Sequence, residues 1–283
     1  MIKKISVLLS GILVLFAFMG CSDSSESPVS YNAPKVLAAE DLPASNATVG
    51  TEESSKDVFI EALESLNTNV VELAEYPSTE SSITTRTRAT EEFPINISES
   101  LGGGTVTCTG TITATYSSPS EDWIPELGRW YNDLLAMKMS GAIEGTVDGC
   151  AIPADNQEYT YLVNGESKEK VYMDMDLDCY FDEETSEFNI DLYTAVAFGA
   201  SYSIRRSDTG VGGKFVLTYA ATIDKDDINS DFLSIDADNL YDELASKTAK
   251  LEVYNDANEL QYTIDIPLNE IPSVIDSVMN SGY

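Results

Sequence analysis

The chain has 283 residues, of which 48 are acidic, 16 basic and none histidine, giving a formal net charge of −32 at pH 7. That charge would repel nucleic acid and anionic lipid headgroups alike, and excludes partners held by a basic surface. The missing histidine removes the commonest general base and the commonest transition-metal ligand, which excludes Ser-His-Asp, Cys-His and zincin arrangements.

The N-terminus opens with Lys3 and Lys4, followed by an almost unbroken apolar run from Ile5 to Phe18, too short to span a bilayer comfortably. Phe18-Met19-Gly20-Cys21 comes next. These residues resemble the signal peptide and lipobox of bacterial lipoproteins. Gly20 and Cys21 match the motif; Phe18 and Met19 stand where the family favours Leu and a small residue. The resemblance implies removal of residues 1–20, lipidation of Cys21 and attachment of the chain to a membrane of the cell envelope. Ser22 resembles the sorting signal of lipoproteins sent to an outer membrane, and the acidic stretch after it resembles surface-display signals. Loss of Lys3 and Lys4 with the signal takes the charge from −32 to −34.

Residues 21–54 are polar, rich in Ser, Glu and Pro, and without hydrophobic periodicity, the composition of a disordered tether. Residues 55–93 read as a helix and linker. Phe59, Ala62, Leu63, Leu66, Val70 and Leu73 recur at helical spacing over Lys56–Glu75, and Pro77 ends the run. Ser78–Glu92 is a polar linker containing the basic island Thr84-Thr85-Arg86-Thr87-Arg88.

From Pro94 to the C-terminus the period changes to two, which predicts a mainly β domain: an antiparallel meander, as a sandwich or partly closed barrel, with a few flanking helices. Val106, Cys108, Gly110, Ile112, Ala114 and Tyr116 alternate with threonines, as in a half-buried strand. A weaker strand covers Gly141–Val147. Tyr159–Val163 and Lys170–Phe181 flank Asn164-Gly165, a hairpin signal. Phe188–Ile204, Lys214–Ile223, Lys250–Tyr254 and Leu260–Ile266 complete the set. Helical spacing returns at Leu127, Trp130, Tyr131, Leu134 and Leu135, at Leu240, Tyr241 and Leu244, and at Ile271, Ile275, Val278 and Met279. Gly102-Gly103-Gly104 and Gly210-Val211-Gly212-Gly213 each lead into a strand and read as turns rather than phosphate cradles.

Over Val171–Phe181 the odd positions are apolar, while Tyr172, Asp174, Asp176, Asp178 and Tyr180 share the other face. Pairing Phe181 with Phe188 sets Asp178 opposite Asp191. Such carboxylates repel across strands, so Asp174, Asp176, Asp178 and Asp191 form either a candidate Ca²⁺ site or a solvated acidic face. The run is not an EF-hand, since Cys179 and Thr185 stand where that loop requires Gly and Glu. No other cofactor is expected. Ala195, Ala197 and Gly199 on the next strand would let a helix, such as Lys56–Glu75, pack closely.

Three cysteines remain beyond Cys21 in a compartment where disulfides form. Aligning Tyr116 with Ala142 places Cys108 opposite Cys150, the favoured bond, with Cys150–Cys179 as its rival. A catalytic thiol is not expected, because Cys108 and Cys179 lie on apolar faces and no histidine can activate them. Together these features predict a non-enzymatic envelope lipoprotein that binds a hydrophobic, lipid-like ligand or an envelope protein. A cavity or an apolar patch near Trp123, Trp130 and Tyr131 would accompany that role. The alternative is a structural or surface-display lipoprotein with a filled core.

Overall fold

The computed structural model describes residues 32–73, 89–116, 120–124, 129–154, 158–181, 186–224 and 246–271. Among the described residues nine strands build one antiparallel sheet: β1 (Ala89–Leu101), β2 (Gly104–Tyr116), β3 (Ser120–Ile124), β4 (Arg129–Pro153), β5 (Thr160–Phe181), β6 (Ser186–Arg206), β7 (Gly212–Asp224), β8 (Thr248–Tyr254) and β9 (Leu260–Pro267). Their order is β1-β2-β4-β5-β6-β7-β8-β9, and β3 pairs with β4 beyond the end of β2. The meander is as the alternation predicts. Among the described residues it is a single open sheet, ending at β1 and β9, rather than a sandwich or barrel.

Among the described residues one α-helix, α1 (Glu52–Leu73), crosses one face, here the inner face. Thr51 starts it by accepting the Ser54 amide at 3.3 Å, and Glu52 and Glu53 complement the dipole of the first turn. Phe59, Ala62, Leu63 and Leu66 are buried at the spacing that keeps one stripe on the sheet, and the Phe59 ring lies 5.4 Å from that of Phe215. Behind it the core includes Tyr202, Phe215, Leu217, Leu251, Val253 and Ile266.

Residues 32–50 cover part of the opposite, outer face, which corrects the expectation of a disordered tether through residue 54. Ser201 Oγ donates to Leu37 O (2.8 Å), and Lys214 Nζ donates to Ala39 O (2.9 Å). Asp256 accepts the amides of Ser45 and Asn46 at 2.8 Å each, and Thr48 bridges Val211 in parallel. Lys214 and Phe215 are consecutive on β7, so they point to opposite faces and place this strap and α1 on the two sides of the sheet. The helix therefore does not pack on the small residues of β6. A Cβ added at Gly199 would lie 2.8 Å from Pro34 O, so the strap takes that place.

Two other elements differ from the sequence reading. The Leu127–Leu135 spacing does not mark a helix: Arg129 onward is strand, and Leu134 is the extra residue of a bulge between Asp133 and Leu135. Asn164-Gly165 is no hairpin, because β5 runs through it. A second bulge lies opposite, where the Gly149 amide donates to Asn164 Oδ1 at 2.7 Å. The Gly102-Gly103 turn is as expected: both residues have positive φ, 55° and 88°, between the paired Leu101 and Gly104. Leu240, Tyr241, Leu244, Ile275, Val278 and Met279 lie outside the described residues, as do Arg86 and Arg88.

Candidate functional site

Cys108 and Cys150, the favoured disulfide pair, are both buried free thiols. The β2–β4 register is Tyr116 with Met137, five residues from the alignment that would have joined them, so Cys108 faces Gly145 and Cys150 faces Val163. The cause is β3, which continues the same register (Ser120 with Asp133) where a helical connection was expected. The rival bond fails on distance. Cys179 pairs with Asn132 at the other end of β4, sixteen steps along β5 from Val163, about 50 Å at ~3.3 Å per residue.

The aspartates also shift. β5 and β6 close as Phe181 with Ser186, so Asp178 faces Asn189 and Asp191 faces Asp176. The move is by two residues, which preserves the faces but breaks the Asp178–Asp191 pairing. Asp174 bonds Lys138 Nζ at 2.8 Å and accepts the Tyr172 hydroxyl at 2.9 Å. It is thus already engaged by a cation of the protein. Among the described residues no group of three or more acidic, Cys or His side chains is placed to hold a metal. The side chains of Asp176, Asp178, Cys179, Asp191, Trp123, Trp130 and Tyr131 lie outside the described set, as does Cys21.

A buried acid that the sequence reading passed over stands on the inner face. Glu169 is 6% exposed and shares its face with Val171 and Met173, between Ile143 on β4 and Phe198 on β6. Burial pushes its carboxyl up to about 8. Burial raises the Tyr219 hydroxyl and holds the Cys108 thiol at about 11, and the charge of Glu169, once ionised, adds to both shifts. Extending the parity of Val171 and Met173 back by one step would have found it. The supposed hairpin at Gly165 cut that extension short. At neutral pH the group is therefore a largely protonated acid.

At one end of the sheet Glu61 of α1 accepts the hydroxyls of Tyr159 (3.2 Å) and Tyr161, and Arg206 lies over the Tyr159 ring at 3.7 Å. Arg206 also bonds Asp208 through Nε at 2.8 Å. These contacts fix the helix to β5 and β6. An open groove of about 310 Å³ runs between strap residues 34–40 and Val216, Thr218, Glu252 and Tyr254 of the outer face.

Compared with family models, with curated proteins and with solved structures, the chain has no match in any of the three.

Proposed function

We propose that the chain is a lipid-anchored protein of the bacterial envelope whose acidic sheet is a non-enzymatic binding module for an envelope protein. The lipobox resemblance at Cys21 supports the anchor, and the resemblance of Ser22 to an outer-membrane sorting signal supports that destination. Only ten residues separate Cys21 from Asn32, the start of the strap, a reach of at most about 40 Å even when fully extended. On this reading the domain is kept close to the membrane surface.

The observation that carries the protein-partner reading is the open sheet. A carrier of a lipid-like ligand needs enclosed apolar space, whereas among the described residues the sheet stays open and nothing pairs with the outer edges of β1 and β9. The structural or display reading draws its support from the large apolar side chains exposed among the described residues, Leu37, Phe93, Leu162 and Leu260, which lie on four separate elements.

Native mass spectrometry of the mature chain extracted from the envelope tests the choice. Added protein mass that dissociates on denaturation supports the proposal. Added lipid mass would restore the carrier, and a bare chain would favour display.

A further inference from the structure

We infer that the free edge of β1 receives an extended segment of a partner, added as a further strand, whose apolar residues alternate and are bounded by Lys or Arg. The inference rests on the protein-partner reading and gives that partner its chemistry.

β1 pairs with β2 along all thirteen of its residues, and among the described residues nothing pairs with its other edge. The strand is open to solvent: Thr90, Phe93, Asn96, Ser98 and Glu99 are exposed, with Phe93 at 40%. Pro94 removes one main-chain donor, a substitution tolerated on an edge strand, and leaves those on either side in place.

The pattern along this edge is specific. On the inner face the register positions run Glu91, Phe93, Ile95, Ile97, Glu99, opposite Ala114, Ile112, Gly110, Cys108 and Val106. Ile95 and Ile97 are only partly buried against the core, so the sheet's apolar inner face continues to this edge without being completed there. A strand laid beside β1 would cover Phe93, Ile95 and Ile97 if it carried apolar residues at every second position. Glutamates bracket that apolar triplet, and β1 has no cation of its own. A complementary segment therefore reads cation, three alternating apolar residues, cation.

The same bracket works against a second copy of this chain. Two β1 strands paired antiparallel about Ile95 would set Glu91 against Glu99 of the other copy at both ends. The charge of −32 adds long-range repulsion between copies and attraction for a basic partner.

The test uses the mature full chain, amide hydrogen exchange and two synthetic thirteen-residue peptides of alternating Val and Thr, one with Lys and one with Glu at the bracketing positions. The Lys peptide should slow exchange of β1 amides at least tenfold at low salt and less at high salt, with the Glu peptide inert. The double variant Glu91→Lys, Glu99→Lys should exchange those preferences. Equal protection by both peptides, protection at β9 instead, protection by neither, or dimerisation that protects β1 without peptide would each overturn the inference. Photo-cross-linking in the intact envelope separates the two levels. Adducts from Leu260 on β9 with none from Ser98 on β1 would sink the β1 site and leave the protein-partner reading standing; adducts from neither would sink both.

Discussion

Lys214 Nζ reaches the carbonyl oxygen of Ala39 at 2.9 Å across 175 residues of sequence, and the same ammonium donates to Asn258 Oδ1 at 2.8 Å. One buried cation thereby joins the strap, β7 and the β8–β9 turn. Lys214→Ala removes both bonds and leaves two acceptors short of a donor, a loss of about 1–3 kcal/mol. Urea melts should show that loss, and trypsin should cleave faster after Lys35 as the strap loosens. An unchanged cleavage rate would mean that the strap is held without Lys214.

Glu169 makes stability fall with rising pH. Its folded carboxyl titrates near 8 against an ordinary 4.5, so between those values the unfolded chain has lost a proton that the folded chain keeps. Stability therefore declines as pH climbs from about 4.5 to 8, and the whole penalty is present above 8. At ~1.4 kcal/mol per pKa unit the penalty is of the order of several kcal/mol. Glu169→Gln should be more stable than the parent at pH 8.5, with a smaller difference at pH 5. An equal difference at both pH values contradicts the buried, ionisable assignment.

Gly165 has φ 149°, and a Cβ there would lie 2.0 Å from the carbonyl oxygen of Ser201 on β6. Gly165→Ala must part β5 from β6 beside the bulge. A cost above about 3 kcal/mol is expected, against ~1 kcal/mol for a typical substitution. A melting temperature within 2 °C of the parent, about the shift of a fraction of a kcal/mol, would show that the strand bends elsewhere.

The thiols give a sharp chemical test. Burial, aided by the Glu169 charge, pushes the Cys108 thiol up to about 11, and burial raises that of Cys150. Neither should alkylate appreciably in the folded protein at pH 7.5. Both should alkylate fully in urea without reductant, as peptide mapping would show. Modification that requires prior reduction would restore the disulfide.

What the sequence made legible follows from how local each signal is. The helix shows in Phe59, Ala62, Leu63 and Leu66 because its packing stripe lies within two turns, and β8 and β9 show because Asn255–Asn258 turn the chain between two short alternating runs. Leu134 and Asn164-Gly165 mislead for one reason: each lies in or opposite a bulge inside a strand of more than twenty residues, where the period slips without the strand ending. The strap was invisible, since its partners Glu166, Ser201, Lys214 and Asp256 lie 129 to 211 residues away and its own residues carry no period. Of the candidate sites, the faces of β5 were readable from alternation. The cross-strand partners of Cys108 and Asp178 depended on registers set by β3 and by the β5–β6 closure, which no local pattern encodes.

The anchor is the claim on which the envelope reading depends, and metabolic labelling with a clickable palmitate analogue tests it most directly. Cells expressing the parent chain or Cys21→Ser would be fractionated and the label read on the purified protein. The parent should carry label and sediment with membranes until detergent is added, while Cys21→Ser carries none and is no longer held by lipid. A parent chain that is unlabelled and remains in the soluble fraction would contradict the account.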